Sequence, residues 1–291
     1  MEQKRAIDGI GAVALISFAF LLGFNQVVVK VTGGGFGPVF QAGLRSAGAV
    51  IVLIIWMKAR GLKLEIPDGV FWWGVLSGSI FAFEFTALFI ALDFTTVSRA
   101  SIIFYTMPVW LALAAHFLLP GERLNGVRIL GLVLAVAGVV LALLGRAEGD
   151  GSLMGDLLSL VAAFGWMSIA LLVRMTPLSQ AQAETQLMFQ VATSAVILLV
   201  LAPFMGDLVR DLRPIHIAGL AFGAICVASL GFLAWFLLLK VYQSSGVASF
   251  SFLSPVFAVL LGWLLLGEQI GPQVWAALVL VAIGIFLINR K

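Results

Sequence analysis

Runs of about twenty apolar residues, the length an α-helix needs to cross a bilayer, recur ten times along this chain. They fall at about 8–31, 38–59, 69–91, 95–118, 124–145, 152–175, 181–202, 214–238, 247–266 and 271–288, broken by Gly, Pro or charge. Hydrocarbon offers no partner to a backbone N–H or C=O, so a spanning segment must satisfy its own hydrogen bonds, as a helix does. The chain is therefore expected to be an all-α polytopic membrane protein with ten transmembrane helices. Composition agrees: 62% of the 291 residues are hydrophobic, 11% are charged and the mean hydropathy is +1.13. A soluble domain carries about 25% charged residues, and disordered chains are richer in charge still. The connections between runs are short, which excludes catalysis in a soluble appendage.

Other classes fall away on single features. The net charge of +3 comes from basic residues scattered at the ends of apolar runs, so no nucleic-acid partner is expected. Cys226 is alone, and His116 and His216 lie 100 positions apart. Neither a disulfide framework, a metal site nor a cofactor is expected. Gly33-Gly34-Gly35 with Gly37-Pro38 lacks the Lys-Ser/Thr of a phosphate loop and reads as a turn. No H-E-x-x-H helix or intramembrane Asp pair is present, so an enzyme is not expected. Lys4-Arg5 before an apolar stretch imitates a signal peptide, but the stretch is too long and lacks a cleavage site. It reads as the first membrane helix.

With the N-terminus inside, 11 Lys and Arg fall on the cytoplasmic side and 5 outside. The positive-inside rule then predicts both termini in the cytoplasm. Two halves also repeat a pattern. Pro108-Val109, Gly121-Glu122 and Gly138 in spans four and five correspond to Pro255-Val256, Gly267-Glu268 and Gly284 in spans nine and ten. Proline to glutamate is 14 residues in the first copy and 13 in the second, and glutamate to glycine is 16 in both. The expected units are 1–147 and 148–291. Five spans per unit, an odd number, makes the two five-helix repeats inverted, a construction of secondary transporters with the substrate site near the midplane.

The ten-span layout, Arg45 in span two and the paired Pro-Val … Gly-Glu … Gly segments resemble the EamA branch of the drug/metabolite transporter superfamily, across essentially the whole chain. The resemblance implies a bacterial inner-membrane carrier, often an exporter of amino acids or other small metabolites, working by alternating access. Exporters of aromatic and other neutral amino acids are the nearest guess among relatives. It fixes neither the substrate nor the coupling ion.

Ionisable groups within hydrocarbon are costly and draw a functional hypothesis. Arg45 in span two and Glu84 in span three each lie seven residues from the expected outer end of their run, roughly 10 Å deep at 1.5 Å per residue. Equal depth admits either a self-neutralising ion pair or a cavity group that meets substrate charge or a coupling proton. Asn25 and Gln26 line an outward cavity or serve as hydrogen-bonded packing glue; Lys30 reads as a snorkelling end residue. Among the aromatic residues well inside the spans, Phe81, Tyr105, Trp166 and Trp235 are cavity candidates, the last three because each couples a ring to a donor. Ser251 and Ser254 face either the cavity or the carbonyls freed by Pro255. Pro108 and Pro255 are hinges or static kinks. Glu122 and Glu268 read as caps at the starts of spans five and ten. Small residues along those two spans suit close packing or a dimer contact. An exporter of cationic drugs and, from another class, a channel or lipid scramblase remain the alternatives. Monomer or dimer stays open.

Overall fold

The computed structural model describes residues 5, 7–119, 122–144, 151–242, 247 and 250–289. Lys4, Gly121, Arg146, Arg290, Lys291, the side chain of Lys240 and the 147/148 boundary lie outside the described residues. The first half holds α1 (Gly9–Thr32), α2 (Pro38–Ala59), α3 (Phe71–Phe94), α4 (Val97–Phe104), α5 (Met107–Leu118) and α6 (Gly126–Leu144). The second holds α7 (Leu153–Met175), α8 (Ala183–Leu201), α9 (Pro214–Phe222), a π-helical segment (Gly223–Gly231), α10 (Phe232–Val241), α11 (Leu253–Leu266) and α12 (Pro272–Asn289).

Among the described residues, nine helical stretches are long and apolar enough to cross a membrane, counting α4–α5 as one and α9–α10 as one; Phe250–Leu266 is a shorter apolar helix. Extended pairing among those residues is limited to three isolated bridges. The helices end where local chemistry directs. Asp8 accepts a hydrogen bond from Gly11 N at 2.7 Å and one from the Tyr242 hydroxyl at 2.8 Å, capping α1. The Gly11 amide, with that hydroxyl second, holds the Asp8 carboxyl below its ordinary pKa. Thr96 and Ser152 cap α4 and α7, Pro38 and Pro214 open α2 and α9, and Gly267 closes α11 at φ 67°, where a β-carbon is disfavoured.

Span four is not one helix. It breaks at Tyr105-Thr106, and Pro108 is the second residue of α5. Pro255 is likewise the third residue of α11, after a 3-10 turn at Phe250–Phe252. Both prolines thus sit in the first turn of a restarted helix, where a missing N–H forfeits no intrahelical bond.

The bundle packs α6 on α12, α3 on α7, α2 on α8, and α1 on α11 with α4–α5 against α7. Water does not drive helices together in lipid, so close van der Waals contact between small residues matters more. A β-carbon on Gly131 would stand 2.8 Å from the Gly284 carbonyl, so α6 and α12 touch backbone to backbone. Leu53, Phe85, Leu88, Leu187 and Leu198 anchor the main core, while Ile102, Val139, Val281 and Ile285 anchor a second between α4, α6 and α12. Ile55, Val196, Val200 and Leu264 point outward, as a surface solvated by hydrocarbon allows.

Candidate functional site

Four buried polar side chains from the first three helices gather inside the bundle: Asn25 and Gln26 on α1, Arg45 on α2 and Glu84 on α3. Arg45 is 2% exposed and Glu84 3%. Each is the charged group whose field acts on the other. Among the described residues, however, no ion pair or hydrogen bond joins them directly. The helix ruler explains this. Arg45 is seven residues from the start of α2, but α3 continues to Phe94, so Glu84 is ten residues from its end. At 1.5 Å per residue that offset is about 4–5 Å. The azimuths differ too. Phe81, Phe85 and Phe89 recur every four residues on one face of α3, and the Arg45 guanidinium lies over the Phe85 and Phe89 rings, 3.9 and 4.9 Å from their centroids. Glu84, about 100° around the helix from Phe85, turns to α7. There a β-carbon on Gly165 would stand 2.9 Å from the Glu84 Cβ, so a glycine is what admits the two helices so close.

The polar atoms of this cluster are poorly satisfied. Arg45 Nε and Nη2, Glu84 Oε2, Asn25 Oδ1 and Gln26 Oε1 are buried without a hydrogen-bond partner. A buried group left so costs about 1–3 kcal/mol, more when charged. Arg45, Asn25 and Gln41 share a cleft with Gly219 and Gly223 of the span-eight helix, of about 10 Å³, room for about one water molecule. Gly223 begins the π-helical segment, a distortion often found at functional sites.

Aromatic groups wall the other side. Gln26 Nε2 donates to the Tyr105 hydroxyl at 3.4 Å, and that hydroxyl donates to the Leu22 carbonyl at 3.0 Å. Tyr105 meets Trp166 edge-on at 6.2 Å, Trp166 stacks on Phe104 at 5.2 Å, and Phe81 packs on Phe85 at 4.5 Å. Arg45, Glu84, Asn25, Gln26, Phe81, Tyr105 and Trp166 therefore occupy one neighbourhood. Trp235 does not join it: it stacks on Phe18 at 4.9 Å, beside Leu15 and Tyr242. Ser251 is half-buried in the 3-10 turn before α11.

The two ends of the bundle differ. At one end the 33–37 connection pairs with the 207–210 segment: Gly37 N donates to Leu208 O at 3.0 Å and Arg210 N to Gly35 O at 2.9 Å, around the Phe36–Val209 bridge. The glycine run thus serves a close approach between two segments of the chain, since a β-carbon on Gly37 would collide with the Asp207 carbonyl at 2.0 Å. Arg210 binds Asp93 at 2.6 Å and the Gly33 carbonyl at 2.9 Å, and the bond to Asp93 raises its pKa above the ordinary arginine value. Lys30 does not snorkel to the surface; it donates to the Leu92 and Thr95 carbonyls and so caps α3. At the opposite end Arg174 pairs with Glu122 in the open. A cleft of about 290 Å³ lies there between Trp56 and Arg60 of α2, Glu184 of α8 and Phe236 of α10.

Two features at the latched end escape a reading of single runs. Arg99 and Asp156 form an ion pair at 2.7 Å whose side chains are 1% and 0% exposed, joined by the Thr95 hydroxyl and the Ala142 carbonyl. Arg99 counts as an outside charge in the positive-inside tally. Asp156, an acid in the first turn of an otherwise apolar run, was the available signal. Glu268 caps a helix, but not the one it precedes. Its carboxylate accepts from Val97 N at 2.6 Å, from Ser98 N at 3.0 Å and from the Ser98 hydroxyl, at the start of α4 in the other half. Among the described residues, no group of three or more His, Cys, Asp or Glu is placed to hold a metal.

The sequence pattern of the EamA-like transporter family matches residues 9–144 and again 153–290. The chain is 27% identical to the uncharacterized transporter YoaV of Bacillus subtilis (strain 168), over 94% of each chain. It is 26% identical to a probable amino-acid metabolite efflux pump of Escherichia coli (strain K12), over 96% of this chain and 94% of that one. A solved structure described as "Crystal structure of protein" superposes with a TM-score of 0.68 at 24% identity, covering 95% of this chain and 96% of that one.

Proposed function

From the premise that the chain belongs to the EamA-like transporter family, and is thus a multi-pass membrane transporter, we propose that it exports neutral or aromatic amino acids across a bacterial inner membrane by alternating access. The observation that carries this reading is the buried polar cluster of Arg45, Glu84, Asn25 and Gln26 beside the Phe81, Tyr105 and Trp166 rings. An apolar cavity with a few convergent polar groups is the usual lining for a small amphiphilic molecule. Similarity to a probable amino-acid metabolite efflux pump supports the substrate class.

The reading takes the chain as ten spans in two inverted five-helix repeats, 1–147 and 148–291, with both termini in the cytoplasm and no enzymatic role. Two facts support it. The family pattern matches once in each half. The packing of α1 on α11 also has its counterpart in α7 against α4–α5. In that orientation the latched end faces outward and the open cleft faces the cytoplasm. Pro108 and Pro255 then act as the hinges.

One observation favours a second reading, export of cationic compounds: Glu84 Oε2 is buried without a hydrogen-bond partner. Uptake into liposomes by the purified protein decides between them, with labelled neutral, aromatic, acidic and basic amino acids and a lipophilic cation. Saturable uptake of neutral or aromatic amino acids, stimulated by the same amino acid on the far side, is expected. Uptake of the cation alone would replace the first reading by the second. Non-saturable flux without counterflow would point to a channel or scramblase.

A further inference from the structure

The unsatisfied atoms of the central cluster are not random in kind. Arg45 offers two buried donor nitrogens, Nε and Nη2, and carries the positive charge. Glu84 Oε2, Asn25 Oδ1 and Gln26 Oε1 are buried acceptors, the first on a group that carries negative charge when ionised. A lone anion would satisfy the donors and leave three acceptors orphaned. A lone cation would do the reverse. A direct ion pair would use both, but Arg45 and Glu84 form none in this conformation. The group that completes the set has an anionic acceptor and a cationic donor a few ångströms apart in one rigid unit, which describes the α-carboxylate and α-ammonium of an amino acid.

Resting on the reading of the chain as an amino-acid carrier, we propose that this cluster is a zwitterion site. Arg45 Nε and Nη2 donate to the substrate carboxylate, and Glu84 accepts from the ammonium with Asn25 and Gln26. Two further features fit. The Arg45 side chain is held on one face by the Phe85 and Phe89 rings, which leaves its orphan N–H edge directed by packing rather than by a protein carboxylate. With Glu84 ionised the site carries one charge of each sign, so a net-neutral head group leaves it balanced, whereas an extra acidic or basic side chain adds an uncompensated buried charge. The cleft beside Arg45 now has room for about one water. The head group therefore enters when the helices around it separate, and this conformation holds the site collapsed.

The test is competition against labelled L-phenylalanine and L-leucine, using the full-length protein in detergent and in liposomes. The competitors are the free amino acids, their methyl esters and their N-acetyl forms. A site built around buried hydrogen bonds rejects a ligand that lacks them by large factors. Both masked forms are therefore expected to bind at least about 100-fold more weakly than the free amino acid. Arg45→Gln should erase the preference for acid over ester while keeping that over the N-acetyl form, and Glu84→Gln should do the converse. Glu84→Gln is isosteric, whereas Arg45→Gln shortens a buried side chain, so the folding of both variants is checked by size exclusion and thermal unfolding. The wild-type ligand series decides even if a variant fails to fold. Esters that compete as well as acids overturn the role of Arg45, and N-acetyl forms that do so overturn that of Glu84, while saturable amino-acid uptake would leave the carrier reading standing. A folded protein that binds no free amino acid overturns both.

Discussion

Arg45 and Arg99 are both almost wholly buried, at 2% and 1% exposure, and their surroundings differ in kind. Arg99 is matched, by Asp156 in a bond of 2.7 Å with the Ala142 carbonyl beside it, whereas Arg45 rests on rings and keeps orphan donors. The first arrangement suits a fixed joint between α4 and α7, and the second suits a visitor. Removing one partner of a buried pair strands the other charge at about 3–5 kcal/mol. Asp156→Asn should therefore lower the thermal midpoint in detergent sharply, and Arg99→Met combined with Asp156→Leu should recover much of the loss. A midpoint unmoved by Asp156→Asn would contradict a structural pair. Arg45 and Glu84 were legible in the sequence because charge deep in an apolar run is conspicuous. Their lack of a direct contact was not legible, because it turns on three extra residues at the end of α3 and on an azimuth of one residue. Arg99 was hidden for a simpler reason. It sits at a run's edge, where sequence alone reads a surface charge.

Hydropathy locates where a helix meets lipid, and so the run limits lie within a few residues of the helix ends. It says nothing of where the backbone ladder breaks, and the α4–α5 gap, the π-helical segment and the 3-10 turn at Phe250–Phe252 all escaped it. Pro108 marks the first without revealing its form. Proline offers no N–H to the Phe104 carbonyl, and the helix breaks at Tyr105-Thr106 just before it. Pro108→Ala restores that donor and lets α4 and α5 fuse into one rod. If the break flexes during transport, Pro108→Ala and Pro255→Ala should each slow turnover several-fold while equilibrium substrate binding is retained, read from initial uptake rates beside binding isotherms. Unchanged turnover would assign the prolines to static shape.

The whole bundle is tied at one end and open at the other, and the alternating access proposed above would reverse that asymmetry once per cycle. Phe36 and Val209 face each other across the 33–37 and 207–210 segments as a non-hydrogen-bonded antiparallel pair. Such pairs have Cα atoms about 4.5 Å apart, within the range a disulfide accepts. In a background lacking Cys226, Phe36→Cys with Val209→Cys should cross-link on oxidation, stop uptake, and recover with reductant. Oxidised protein that still transports would show that this end need not open. The contact between Glu268 and the start of α4 has a consequence for how the molecule is made. Val97 and its capping carboxylate are 171 positions apart, so a ribosome adding about 5–20 residues per second needs roughly 10–30 s to bridge them. During that interval the first amides of α4 must find water or the insertion machinery instead, and a nascent chain released before residue 268 never acquires the bonds that seat the fourth span.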